Sequence, residues 1–196
     1  MPENIQLKRL LNRVAVYEDQ AAYKELFVLL HSRLRQFAFS IVKSHEEAEE
    51  LVSDVFIRIW EKRDQLHIIE SPLLYFYTSV RNLAFNRLKK QKRIPPNVGE
   101  EWLVQMDSIY FDPERLMVTE EMVAQIRKAI NDLPPRCRLI FKLIKEDQLK
   151  YKDVAELLQL SVKTIEAQMA IALRRIGKCI QLEIKASPQA SIAKKS

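Results

Sequence analysis

Apolar residues recur at helical spacing along most of this chain. Ala48, Leu51, Val52, Val55, Phe56 and Ile59 fall at i, i+3, i+4, i+7, i+8 and i+11, the stripe of one amphipathic helix. Leu73, Phe76, Tyr77, Val80, Ala84 and Leu88 form a second stripe. Start signals stand where these stripes need them. Ser44-His45-Glu46-Glu47 reads as a capping box, with the serine accepting from the backbone and Glu47 reaching back. Ser71-Pro72 and Asp112-Pro113 each place a good N-cap before a proline whose missing N–H costs nothing in the first turn, and Ser161 caps a further start. The pattern predicts helices near 5–16, 21–42, 45–62, 72–92, 113–132, 136–146, 151–158 and 162–184, with no convincing strand, so the expected fold class is all-α. One segment breaks it. In Ile94-Pro95-Pro96-Asn97-Val98-Gly99-Glu100-Glu101 the Pro-Pro pair cannot continue a helix, and Asn and Gly favour turns. The predicted organisation is two small helical domains, 1–93 and 113–184, joined by an acidic linker at 94–112 and followed by a small-residue tail at 185–196.

Composition narrows the chemistry. Of 196 residues, 32 are Lys or Arg and 26 Asp or Glu, a formal charge of +6, but the arrangement says more than the sum. Residues 81–93 carry six cations and no acid, and 135–196 carry a net +7, whereas 44–80 carry −5 and 94–121 carry −6. Two basic blocks separated by an acidic one suit two polyanion-facing modules joined by a segment that stays off the polyanion. The only glycines are Gly99 and Gly177, which argues against glycine-rich phosphate loops and against a turn-dense β fold. Cys137 and Cys179 are far apart without a Cys/His cluster, and His31, His45 and His67 are scattered, so neither a disulfide framework nor a metal site is expected. The longest uncharged stretch, Ser71–Val80, is too short to span a bilayer, and the first residues lack the apolar core of a secretory signal. A reducing cytoplasm is the expected location.

Three outward faces carry candidate chemistry. On the 45–62 helix, Glu46, Glu50, Asp54 and Glu61 surround Ile57, with Trp60 at the edge. This is either a solvated acidic face with one stray isoleucine or a docking surface, in which the apolar residues supply contact area and the acids select a basic partner. On the 72–92 helix, Tyr75, Ser79, Asn82, Asn86, Lys89 and Arg93 line the side opposite the apolar stripe. A solvated face is one reading. The other is a nucleic-acid surface: cations pair with phosphates, asparagine reads base edges and tyrosine stacks on an unpaired base. In the third, Tyr151, Val154, Ala155 and Leu158 form one side of a short helix, and Gln159-Leu160-Ser161 makes a three-residue turn. A second helix, anchored by Val162, Ile165, Met169, Leu173 and Ile176, follows it. That is helix-turn-helix spacing, with an ordinary helical hairpin as its plain alternative. The second helix turns Thr164, Ala167, Gln168, Ile171, Arg174, Arg175 and Lys178 outward, its early residues suited to base edges and its late ones to phosphate. A left-handed Gln159 in the tight turn, where glycine is usual, costs about 1 kcal/mol.

At this point the chain resembles sigma factors of the sigma-70 family, specifically the small extracytoplasmic-function group that keeps only sigma region 2 and sigma region 4. The resemblance rests first on Ala48-Glu49-Glu50-Leu51-Val52-Ser53-Asp54-Val55-Phe56-Ile57-Arg58-Ile59-Trp60 and on Tyr75-Phe76-Tyr77-Thr78-Ser79-Val80-Arg81-Asn82-Leu83-Ala84. In the second half it rests on Leu133-Pro134-Pro135-Arg136-Cys137-Arg138-Leu139-Ile140-Phe141, the helix-turn-helix, and Ala172-Leu173-Arg174-Arg175-Ile176. It implies a protein that binds core RNA polymerase and directs promoter-specific initiation without being an enzyme or needing a cofactor, a metal or a small-molecule substrate. Glu50, Asp54, Ile57 and Trp60 would dock on polymerase. The loop Arg63–Ser71 would help capture the −10 element, with Tyr75, Ser79, Asn82, Asn86, Lys89 and Arg93 along that DNA. Lys163, Thr164, Ala167, Gln168, Ile171, Arg174 and Arg175 would enter the −35 major groove, and an anti-sigma factor, often membrane-bound, would hold the protein silent.

The sequence departs from the family pattern at three places. Tyr75-Phe76 stands where many members have Trp-Leu, Asn86 where many have Asp, and Gln159 where the turn usually has glycine. The first two touch melting and −10 choice, so no promoter sequence is carried over. The alternative function is a stand-alone helix-turn-helix regulator, which would bind its operator tightly without polymerase.

Overall fold

In the computed structural model, backbone is described for residues 2–91 and 120–186, and side chains for residues 4–91 and 124–178. Several of the helices begin where a side chain or a proline relieves the unpaired N–H groups. The carboxylate of Asp19 accepts from Ala22 N–H at 3.0 Å and starts α2 (Gln20–Val42) after α1 (Pro2–Tyr17). Arg13 holds that carboxylate at 2.6 Å, and the backbone and arginine hydrogen bonds keep its pKa below the usual aspartate value. Ser44 Oγ accepts from Glu47 N–H and opens α3 (His45–Glu61), while its hydroxyl donates to the Glu46 carboxylate at 2.8 Å. Pro72 opens α4 (Pro72–Lys90). Ser71 makes no side-chain cap bond there, contrary to expectation. It sits at ψ 81°, well short of the 133° at which Ser44 caps.

Between α3 and α4 the expected loop contains a 3₁₀ helix, Arg63–Ile68, pinned by the buried side chain of Leu66. In the second half, α5 (Glu120–Asn131), α6 (Pro135–Lys145), α7 (Tyr151–Leu158) and α8 (Val162–Ala186) follow, and no strand occurs among the described residues. The Asp112-Pro113 cap, the first part of the helix expected from 113, and the 94–112 linker lie outside the described residues.

The α1–α4 bundle is built on Leu7, Leu11, Leu26, Leu30, Leu34, Leu51, Phe56 and Phe76, all buried. Aromatic rings lock it: Phe56 lies 4.9 Å from Phe27 and 5.5 Å from Phe76 between ring centroids. The α5–α8 group closes over Ile130, Leu133, Leu139, Ile140, Val154, Leu157 and Ile165. The anchoring stripe of α8 is shifted from the expected one. Ile165, Met169, Ala172 and Ile176 are buried, while Leu173 is half exposed and Val162 also reaches solvent. Ala172 keeps the i, i+4, i+7, i+11 phase that Leu173 overshoots by 100°. Tyr151, expected on the inward side of α7, is exposed as well.

Gln159 adopts φ 56°, ψ 43°, the left-handed conformation that the tight turn demands. Its own side chain lessens the strain, Nε2 donating to Glu156 O at 2.9 Å. The Ser161 hydroxyl then accepts from Thr164 N–H at 3.0 Å and starts α8.

Candidate functional site

The inward face of α3 is fully apolar, which fixes the residues that point outward, and these are largely acidic. With Ala48, Leu51, Val52, Val55, Phe56 and Ile59 buried, Glu50, Asp54 and Ile57 are turned to solvent together, and Ile57 is 55% exposed. Trp60 does not join them as an open handle. Its ring sits edge-on to Tyr23 at 4.9 Å, half-buried, and the Arg63 guanidinium lies over it at 5.3 Å. The Tyr23 hydroxyl donates to Phe56 O at 2.8 Å, so Trp60 belongs as much to the bundle wall as to the surface. A residue that sequence reasoning missed ties this face to the next helix. Arg87 of α4 reaches Glu50 at 2.7 Å and Asp54 at 3.6 Å. The basic run 81–93 signalled Arg87 only as one cation among six; that it meets α3 follows from the α3–α4 packing angle, which spacing does not encode.

On α4, Leu73, Phe76, Tyr77, Val80, Ala84 and Leu88 face the core, as their spacing predicts. Asn82, Asn86 and Lys89 are consequently exposed, while Tyr75 and Ser79 are intermediate. The Ser79 hydroxyl donates to Tyr75 O at 2.8 Å, which leaves its oxygen only as an acceptor toward a ligand. Tyr75 packs edge-on against Phe76 at 6.2 Å. Arg93, the last residue expected on this face, lies outside the described residues. The surface therefore offers amides and one described cation along its outer line, with the partly covered tyrosine at its N-terminal end.

The helix-turn-helix presents the third face. Lys163, Ala167, Ile171, Arg174, Arg175 and Lys178 are exposed on α8, with Thr164 and Gln168 intermediate. Behind them, the thiol of Cys137 on α6 donates to Gln168 O at 3.2 Å and holds α8 against its support. Burial pushes the Cys137 thiol's pKa up, with the nearby Arg175 charge acting in the opposite direction, so it serves as a neutral donor. Small, polar and β-branched side chains at the start of an exposed helix, followed by arginines, match what base edges and flanking phosphates require. Among the described residues no group of His, Cys, Asp and Glu is placed to hold a metal ion.

Comparison with known proteins follows the same division. A family model described as Sigma-70 region 2 matches residues 26–94, and one described as Sigma-70, region 4 matches residues 124–176. Between them these spans take in more than half of the chain. The chain belongs to the sigma-70 family. It is similar to the ECF RNA polymerase sigma factor SigW of Bacillus subtilis, 25% identical over 158 residues, covering 77% of this chain and 84% of that one. It is also 24% identical to the RNA polymerase sigma-H factor of Pseudomonas aeruginosa, over 83% of this chain and 88% of the relative. For the ECF RNA polymerase sigma factor SigK of Mycobacterium tuberculosis the figures are 23%, 90% and 94%. Among solved structures, the sigma factor RpoE in complex with the anti-sigma factor NepR from Bartonella quintana aligns at a TM-score of 0.49 and 24% identity, covering 81% of this chain and 96% of that one. The chain is an extracytoplasmic-function sigma factor that directs promoter-specific transcription initiation. Sigma factors are DNA-binding regulators rather than enzymes. No helix among the described residues is long and apolar enough to cross a membrane.

Proposed function

We propose that the three faces divide the work of a sigma factor residue by residue. Region 2, within residues 1–93, docks on core RNA polymerase through Glu50, Asp54 and Ile57, with the exposed edge of Trp60 as a lesser contact. Its α4 surface follows the −10 element through Asn82, Asn86 and Lys89, continued by Arg93, with Tyr75 and Ser79 at the opposite end. Region 4, within residues 113–184, places Lys163, Thr164, Ala167, Gln168 and Ile171 in the −35 major groove and sets Arg174 and Arg175 on its phosphates. The acidic segment 94–112 connects them, and 185–196 is a tail. The chain works in the cytoplasm, performs no catalysis itself and is held silent by an anti-sigma factor. RpoE of Bartonella quintana, which is similar to this chain, was solved in complex with its anti-sigma factor NepR.

The observation that carries this reading is the exposed face of α8, set at the end of a tight left-handed turn and backed by Cys137. Two separate, modest DNA surfaces imply that neither holds DNA tightly alone and that polymerase supplies the remainder by joining them. In a band-shift experiment at physiological salt, the chain alone therefore gives no discrete complex with its promoter, whereas chain plus core polymerase does. Tight, polymerase-independent binding would instead identify a stand-alone helix-turn-helix regulator.

A further inference from the structure

Arg87 stands between the two faces of region 2. Its guanidinium leaves α4 and crosses to α3, where Nη1 donates to Glu50 Oε2 at 2.7 Å and Nη2 lies 3.6 Å from Asp54 Oδ2. One turn further along the same seam, Gln91 Nε2 donates to Glu47 Oε1 at 3.4 Å. The other described cations of α4 are placed differently. Arg81 lies over the Phe85 ring at 5.4 Å, while Lys89 and Lys90 are exposed and make no ion pair among the described residues. Arg87 is therefore the described cation of this helix whose charge already has acidic partners, and those partners are the two carboxylates of the α3 docking face.

Its position also borders the DNA line. At about 100° per residue, Arg87 lies about 60° around α4 from Lys90 and about 100° from Asn86, and both neighbours are exposed. The pair is loosely held. The Glu50 and Asp54 side chains are 67% and 46% exposed, so water and salt compete for them. A planar guanidinium accepts a phosphate as readily as a carboxylate, because both present two oxygens to its fork of N–H donors.

We propose that Arg87 couples the two faces by exchanging partners: it pairs with Glu50 and Asp54 in the free chain, and passes to a phosphate of the −10 strand when basic groups of core polymerase take those carboxylates. The coupling rests on the docking and −10 assignments above and adds a link between them. Polymerase on α3 frees the guanidinium for DNA, and a phosphate that draws Arg87 away frees Glu50 and Asp54 for polymerase. Each ligand thus raises the affinity of the other by the same factor. A plain brace between α3 and α4 would behave otherwise, since its loss would act alike with and without polymerase.

The test is fluorescence anisotropy of a short labelled single strand of mixed-sequence DNA, titrated with the full chain, free and bound to core polymerase, over a range of salt. Mixed sequence suffices because a phosphate contact carries no sequence information. In the free chain, Arg87→Gln leaves the slope of log K against log salt unchanged. In the holoenzyme it flattens the slope by about 0.7, one phosphate contact on a single strand, and Arg87→Lys restores it. Glu50→Gln with Asp54→Asn releases Arg87 without polymerase and steepens the free chain's slope by about 0.7. In an Arg87→Gln background the same two substitutions leave the slope unchanged, which separates released arginine from the general effect of removing two negative charges. Circular dichroism checks the fold of each variant, and the polymerase arm and the acid arm use different substitutions, so either decides alone if the other variant unfolds. Lys89→Ala separates the coupling from the assignment beneath it. If Lys89→Ala flattens the holoenzyme slope while Arg87→Gln does not, or if Arg87→Gln acts equally in free chain and holoenzyme, the coupling is overturned and the −10 face stands. If neither substitution moves the holoenzyme slope, both fall.

Discussion

Asp54→Ala combined with Ile57→Glu lowers the affinity of this sigma factor for core RNA polymerase by at least about 30-fold and leaves its helical bundles intact. The magnitude is that of a small interface hot spot, about 2 kcal/mol or more. Ile57 is 55% exposed on a helix whose opposite side is completely buried, so the fold gives no reason for an isoleucine there. A glutamate adds a charge to a surface that already carries Glu50 and Asp54, and desolvating it against a partner is costly. Loss of Asp54 removes the other half of the contact, and Arg87 keeps Glu50 as its ion-pair partner, so the α3–α4 junction persists. Titration of labelled polymerase with the variant checks the effect, and circular dichroism checks the fold. Unchanged polymerase affinity would remove α3 as the docking helix.

Arg174→Ala with Arg175→Ala flattens the salt dependence of promoter binding by the holoenzyme. Each phosphate contact on B-DNA contributes about 0.9 to the slope of log K against log salt, so losing two reduces it by about 1.8. Both arginines are exposed on α8, beyond Ile171 and on the same side as Lys178. Their removal touches no buried group except through the field on the Cys137 thiol, whose pKa burial already dominates. The loss is therefore uniform across promoter sequences, as phosphate contacts predict, and grows as salt is lowered. An unchanged slope would mean that these arginines point away from the DNA backbone.

Local periodicity made most of the helices legible, because α3, α4 and α7 each place strong apolar stripes on a single face. The stripe of α8 was legible to within one residue: Leu173 looked like an anchor by hydrophobicity, but the helical phase favours Ala172, and a small residue there lets α8 approach closely. The outward residues Glu50, Asp54, Ile57, Asn82, Asn86 and Lys89 could be named because a helix with one buried side defines the other. What could not be named depended on two elements meeting. Arg87 bridging to Glu50 and Asp54, Trp60 wedged beside Tyr23, and Cys137 holding Gln168 are set by packing between helices distant in sequence. Tyr77 itself carries a signal of such a meeting. A tyrosine in a fully apolar stripe needs a partner for its hydroxyl, and Tyr77 finds it seventy residues away at Asp147.

The most direct test of the whole account is run-off transcription with core polymerase and this chain on fragments of its own genome. The account predicts discrete start sites that core polymerase alone does not produce, that weaken with Arg174→Ala/Arg175→Ala, and that vanish with Asp54→Ala/Ile57→Glu. Tight binding of the chain alone to specific fragments, with no start site that depends on it, would contradict the account.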